Sequence, residues 1–270
     1  MKPIIWVVLS FLLNEGKAFQ EEDWGARNRG LAHIAATIQS ELSCLGENCA
    51  GLAPLRDMTF TVSFVPSVYG LTELSSRMFL AAVPTPVATF AGGVRDFGFD
   101  LYRESSLLVG SGFGLTEGAF AGLGAEFKNI RIRGYGSQTV VFVNAGVQFT
   151  VGDKILLGGN ISNVLGATIG KDRERIPRSA SFGFSFSASE DARLAFEVEK
   201  DTRNPEVLKS GIEFHPLQFL TLRAGVKDGP LEWAFGISCD VSFLVFVYGG
   251  SYHGDLGWIH QVEASMRVSI

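Results

Sequence analysis

The sequence predicts an all-β protein, a transmembrane antiparallel β-barrel of about fourteen strands carrying a short N-terminal helical plug segment. Three observations predict it. Apolar residues alternate with small or polar ones over some fourteen consecutive segments. The chain is hydrophobic overall, with mean hydropathy +0.21, yet its body holds no uncharged apolar run of about 18 residues that would cross a bilayer as a helix. Finally, 32 of its 270 residues are Gly and 22 are Phe, so disorder is excluded and large apolar surfaces must be placed somewhere.

Taken in order, residues 1–18 read as a secretory signal. Lys2 precedes the apolar core Pro3–Leu13, and Gly16-Lys17-Ala18 supplies small residues where a signal peptidase cuts, with cleavage after Ala18 and Gln20 as second choice. The apolar core is too short to be a comfortable membrane anchor. Loss of Lys2, Glu15 and Lys17 would move the net charge from −5 to −6.

Residues 19–56 form a second unit. Leu31, Ile34, Ala35, Ile38, Leu42 and Leu45 recur near a 3.6-residue period. This predicts one or two short amphipathic helices that close at Gly46 and open into Asn48-Cys49-Ala50-Gly51-Leu52.

From residue 57 to 270 the period becomes two. Phe182, Phe184 and Phe186 alternate with Gly and Ser; Leu194, Phe196 and Val198 with Ala195, Glu197 and Glu199; Trp233, Phe235 and Ile237 with Ala234, Gly236 and Ser238. Fourteen such segments are separated by turn signals such as Gly152-Asp153 and Glu190-Asp191, with twelve as the alternative count because the first three are irregular. A soluble sandwich would bury the apolar face, whereas a membrane barrel turns it to lipid. The number of segments, the small residues on the polar face and a final strand running to Ile270 favour the barrel. The expected surroundings are therefore outer-membrane lipid and the location the bacterial outer membrane.

Other chemistry is thinly represented. A mildly acidic chain with scattered Lys and Arg has no footprint for nucleic acid. His33, His215, His253 and His260 share no metal-ligand spacing, no CxxC occurs, and no cofactor motif is present. Cys44 and Cys49 are near enough in sequence to close a small disulfide loop in an oxidising compartment, or are simply small buried hydrophobes, as Cys239 would be. His253, Asp255 and His260 have no nucleophile tied to them, so catalysis is not expected and His253 with Asp255 reads as a polar turn.

Several motifs resemble a known family. Trp24-Gly25-Ala26-Arg27 followed by Asn48-Cys49-Ala50-Gly51-Leu52-Ala53 is similar to the opening of FadL-like outer-membrane proteins, particularly the PorV/PorQ branch. So, in order, are Gly134–Ser137, Gly158–Gly166, Ile176-Pro177-Arg178, Gly211–Phe214, Leu222–Gly225 and Leu256–Val262. Cys49 stands where that family has Pro, and Ile270 where barrel-assembly signals end in an aromatic. The resemblance implies passive transport of hydrophobic small molecules through the lumen, with residues 25–53 as plug. Its alternative is a non-transporting barrel that binds other proteins of a type IX secretion system. It also draws attention to Phe90, Gly92-Gly93, Phe97 and Phe99, where a strand kink would open a lateral path; ordinary tight packing is the simpler expectation. An apolar, continuous lumen would favour transport, and a lumen packed solid would favour the structural role.

Overall fold

A computed structural model describes residues 24–170 and 173–269. The expected signal peptide lies outside them. Fourteen antiparallel strands close into one barrel. They are β1 (Met58–Val65), β2 (Ser76–Pro84), β3 (Thr89–Gly98), β4 (Tyr102–Thr116), β5 (Ala119–Ile132), β6 (Gly136–Val151) and β7 (Ile155–Ser162). After a small hairpin of β8 (Thr168–Ile169) and β9 (Glu174–Arg175) the wall resumes. It continues with β10 (Ser179–Ser187), β11 (Ala192–Asp201), β12 (Val207–Leu217), β13 (Leu220–Asp228), β14 (Leu231–Val241), β15 (Leu244–His253) and β16 (Gly257–Val268). The fourteen predicted segments are thus fourteen strands. The hairpin β8–β9 lies in a stretch whose clustered charge reads as plain loop.

Closure comes from β1 pairing with β16, in register from Met58↔Val268 to Phe64↔Val262. No edge is left unpaired, as hydrocarbon requires. Alternation places one face of every strand outward: Phe182 is 59% exposed and Phe90 54%, while their neighbours Gly183 and Thr89 face inward. Among the described residues no helix is long and apolar enough to cross a membrane.

The connections differ at the two ends. The end near β1's start and β16's finish carries short turns such as 117–118, 152–154 and 242–243, and the other end carries the longer 66–75, 163–178 and 202–206. Strands β4, β5 and β6, of 15, 14 and 16 residues, rise above the rest there.

The segment before β1 lies inside the barrel, but not as the predicted amphipathic helices. Among the described residues before β1 only α1 (Ala26–Gly30) is α-helical, and Leu42–Leu45 and Cys49–Leu52 are single 3₁₀ turns. Ala32, His33 and Ser40 adopt positive φ, which ends any helix there. The apolar spacing that suggested a one-sided helix has a different cause. Wall surrounds the segment on all sides, so nearly every residue from Trp24 to Ala36 is buried whatever face it would present.

Gly92 and Gly93 do not kink β3. The strand pairs without a register break from Thr89 to Gly98 with β4 and from Thr89 to Phe97 with β2. A side chain at Gly93 would overlap Leu80, which explains the glycine by tight packing.

Candidate functional site

The lumen is the candidate site, and its geometry follows from how the segment of residues 24–56 seats against the wall. The segment reaches every barrel strand. α1 packs against β13–β16, residues 31–36 against β7 and β10–β12, the 3₁₀ turn 42–45 against β1–β4, and the turn 49–52 against β3–β6. At this level the inward residue is repeatedly glycine. Pairs face each other across strands: Gly110 and Gly124, Gly112 and Gly122, Gly158 and Gly183, Gly211 and Gly225, Gly236 and Gly249. A Cβ at Gly158 would overlap the Ala36 carbonyl, at Gly249 the Ala26 carbonyl, at Gly146 the Asn48 side chain, and at Gly122 the Cys49 backbone. Part of the high glycine content is thus the footprint of one backbone lying on another.

Charge fixes the seat. Arg27 Nε donates to Glu213 Oε2 at 2.9 Å, Arg223 Nε donates to the same oxygen at 2.8 Å, and Arg27 Nη1 lies 3.2 Å from Glu41. His33 Nε2 sits 3.1 Å from Glu232, which also faces Lys227 at 3.4 Å. Glu197 Oε2 accepts from the backbone N–H of Ala35 and Ala36 at 2.8 and 2.7 Å. Lys209 Nζ donates to the His33 carbonyl and to Glu197 and Glu199. Arg29 donates to Ser251 and Gln261, and Arg193 to the Thr37 carbonyl. A segment with little regular structure leaves many backbone groups unpaired, and the wall's side chains satisfy them. Sequence reasoning missed this latticework. Its signal was present in Glu197, Glu213, Arg223 and Glu232, all charged residues on the inward parity of their strands.

The motif residues are brought together as a knot in the segment. Asn48 Oδ1 accepts from Ala50 N at 3.1 Å, capping the turn Cys49–Leu52, while its Nδ2 donates to the Ala36 carbonyl at 2.9 Å. Gly51 packs under the Ile38 carbonyl, and its N–H donates to the Asn48 carbonyl. Cys44 and Cys49 are separate buried thiols, donating to the carbonyls of Ile38 and Leu45. Burial pushes both thiols up, Cys49 to about 12, which keeps them in the weakly reactive protonated form. Further along, His253 Nδ1 accepts from the N–H of Asp255 and Leu256, a polar turn. His260 instead bonds Tyr248 on the outer wall.

Above the segment, at the long-loop end, lies a cavity of about 580 Å³. Trp24, His33, Gly46 and Glu47 of the segment face it; Lys128, Phe142, Glu199 and Lys209 stand in its wall. Its roof is held by two devices. Asn163 Nδ2 donates to the carbonyls of Ile176 and Pro177, and Arg203 joins the 202–206 turn to Glu174 and the Arg175 carbonyl. The lumen is therefore neither an apolar tube nor a solid plug, but a seated polar segment with a chamber above it.

No family model and no curated protein matches the chain. Solved structures do. The fold is that of hydrocarbon channels. The CymD monoaromatic hydrocarbon channel aligns with a TM-score of 0.72 at 12% identity, over 94% of this chain and 100% of its own. The toluene transporter TodX of Pseudomonas putida gives 0.67 at 13% over 91% and 99%, and a Pseudomonas aeruginosa FadL homologue 0.66 at 11% over 90% and 98%. At such identities the likeness is one of fold, and the PorV/PorQ assignment rests on the sequence motifs alone.

Proposed function

We propose that the protein is a channel of the bacterial outer membrane, exported on the signal of residues 1–18, that passes hydrophobic small molecules down their gradient. The outward belt of Phe, Val and Leu sits in outer-membrane lipid. The long-loop end, with the cavity, faces outward by the usual asymmetry of such barrels. The cavity carries the reading: at about 580 Å³ it falls within the roughly 300–1,000 Å³ of small-molecule pockets, and its floor is the lumen segment. A molecule held there advances only if that segment shifts, so residues 24–56 act as gate as well as floor. The secretion-partner alternative has no observation in the fold or cavity that favours it.

Uptake of radiolabelled toluene tests the proposal in cells deprived of their own hydrocarbon channels. Expression should raise the uptake rate. Uptake equal to that of cells without the protein would end the proposal.

A further inference from the structure

Six carboxylates but only four Lys or Arg side chains line the cavity. Five of those carboxylates are engaged: Glu126 with Ser106 and Lys128, Glu174 with Arg203, Glu199 with Lys209, Asp201 with Asn204, and Glu206 with Lys200. The two deep lysines are likewise held, Lys128 by Glu104 and Glu126, Lys209 by Glu197 and Glu199. Glu47 differs. It stands on the cavity floor, half-buried, and its carboxylate makes no hydrogen bond or ion pair with any described residue. Beside it the Trp24 ring lies flush on Gly46, where any side chain would overlap the indole. Phe142 and Ile176, which pack together, add further apolar wall. A lone carboxylate next to aromatic and aliphatic surface is the complement of a molecule with an apolar body and one positive charge.

Resting on the channel reading above, we infer that the cavity selects amphipathic cations, small aryl or alkyl amines, whose ammonium meets Glu47 and whose body lies against Trp24, Phe142 and Ile176. An ammonium ion can take the Glu47 carboxylate as counter-charge, which neither a neutral hydrocarbon nor a carboxylate ligand can do. Burial pushes Glu47 up to about 8. Lys209 and His33 act against that rise, while Glu197 and Glu199 add to it. The empty site is therefore largely protonated near neutrality, and binding of an ammonium ion displaces that proton. Affinity for the amine should accordingly increase as pH rises from 6 toward 9, a range over which an alkylamine with a pKa of about 10 keeps its charge.

Isothermal titration of the full chain in detergent with 2-phenylethylamine, 2-phenylethanol and 3-phenylpropionate decides the matter. The amine should bind about tenfold tighter than the alcohol, the factor expected of one charged hydrogen bond. Its lead should grow with pH, while alcohol binding stays flat. Glu47→Gln should bring the amine down to the level of the alcohol. Glu47→Asp, checked like Glu47→Gln for barrel folding by heat-modifiable gel mobility, should keep part of the lead. An amine no tighter than the alcohol, a lead surviving in Glu47→Gln, or tighter binding of the carboxylate would overturn the inference while toluene uptake left the channel reading standing. If none of the three probes binds, the inference falls, and toluene uptake separately decides whether the channel reading falls with it.

Discussion

The two faces of the barrel are built from the same strands and obey different rules. Outward, Phe182, Phe184 and Phe186 or Trp233, Phe235 and Ile237 touch no lumen group; each has only to be apolar. Inward, the intervening positions are specified one by one, as glycine where the segment's backbone lies on the wall and as a charge where a segment group needs a partner. The outer face answers to a solvent, which averages over positions. The inner face answers to a particular chain, which does not. Substitutions should therefore be graded by chemistry alone outside, and by position inside.

The strongest way to break that contrast is at Glu213. Glu213→Ala leaves Arg27 and Arg223 buried and short of their shared carboxylate, with an expected loss of about 3–5 kcal/mol, read from urea unfolding in lipid vesicles. A loss under 1 kcal/mol would mean that the lumen is far wetter than its packing indicates. Phe182→Arg, on the outer face, should cost about 2–4 kcal/mol if the residue lies near the bilayer midplane, whereas Phe182→Leu should cost less than about 1.5 kcal/mol. Equal costs for the two would remove the lipid-facing assignment. Gly122→Ala adds one methyl against the Cys49 backbone and should cost about 1–3 kcal/mol. Gly254→Ala, in the open 254–256 turn with nothing within 4 Å, should leave stability unchanged in the same unfolding measurement. The last test concerns pH. Glu47 holds its proton in the folded state up to about 8, against 4.5 as the ordinary value. Through that window the unfolded chain has already released the proton, so stability should fall as pH rises from about 4.5 to 8 and level off beyond. Glu47→Gln should flatten the slope in thermal melts between those limits, and an unchanged slope would place the titration on another group.

The strands were legible because period two is a local property. Phe182 to Ser187 declares its two faces without knowledge of any neighbour. What a strand could not declare is its register. Glu213 faces Arg223 and Gly211 faces Gly225 only because of where the turn at 218–219 falls. The charged lattice was therefore hidden although each member was on the page. The lumen segment defeated pattern reading for a different reason. Amphipathic spacing presumes one wet side, and Leu31, Ile34 and Ile38 have none. The motif from Asn48 to Leu52 is visible in the sequence as a continuous run. Its physical content, a capped turn pinned to the Ala36 carbonyl, emerges only in three dimensions.

Barrel closure has a consequence for assembly. Apart from the step from β7 to β10 over a small hairpin, each wall strand bonds to its neighbours in sequence, so hairpins can be added one after another. The seam between β1 and β16 is the exception, joining positions some two hundred residues apart, and loop-closure entropy makes it the late event. Residues 24–56 immediately precede β1, and their contacts reach strands on both sides of that seam. They rest on β1–β6 and on β13–β16 alike, so part of their seat does not exist until the last hairpins arrive. The segment is thus an internal template against which the final strands are gauged, and a barrel that closed in the wrong register would fail to accommodate it.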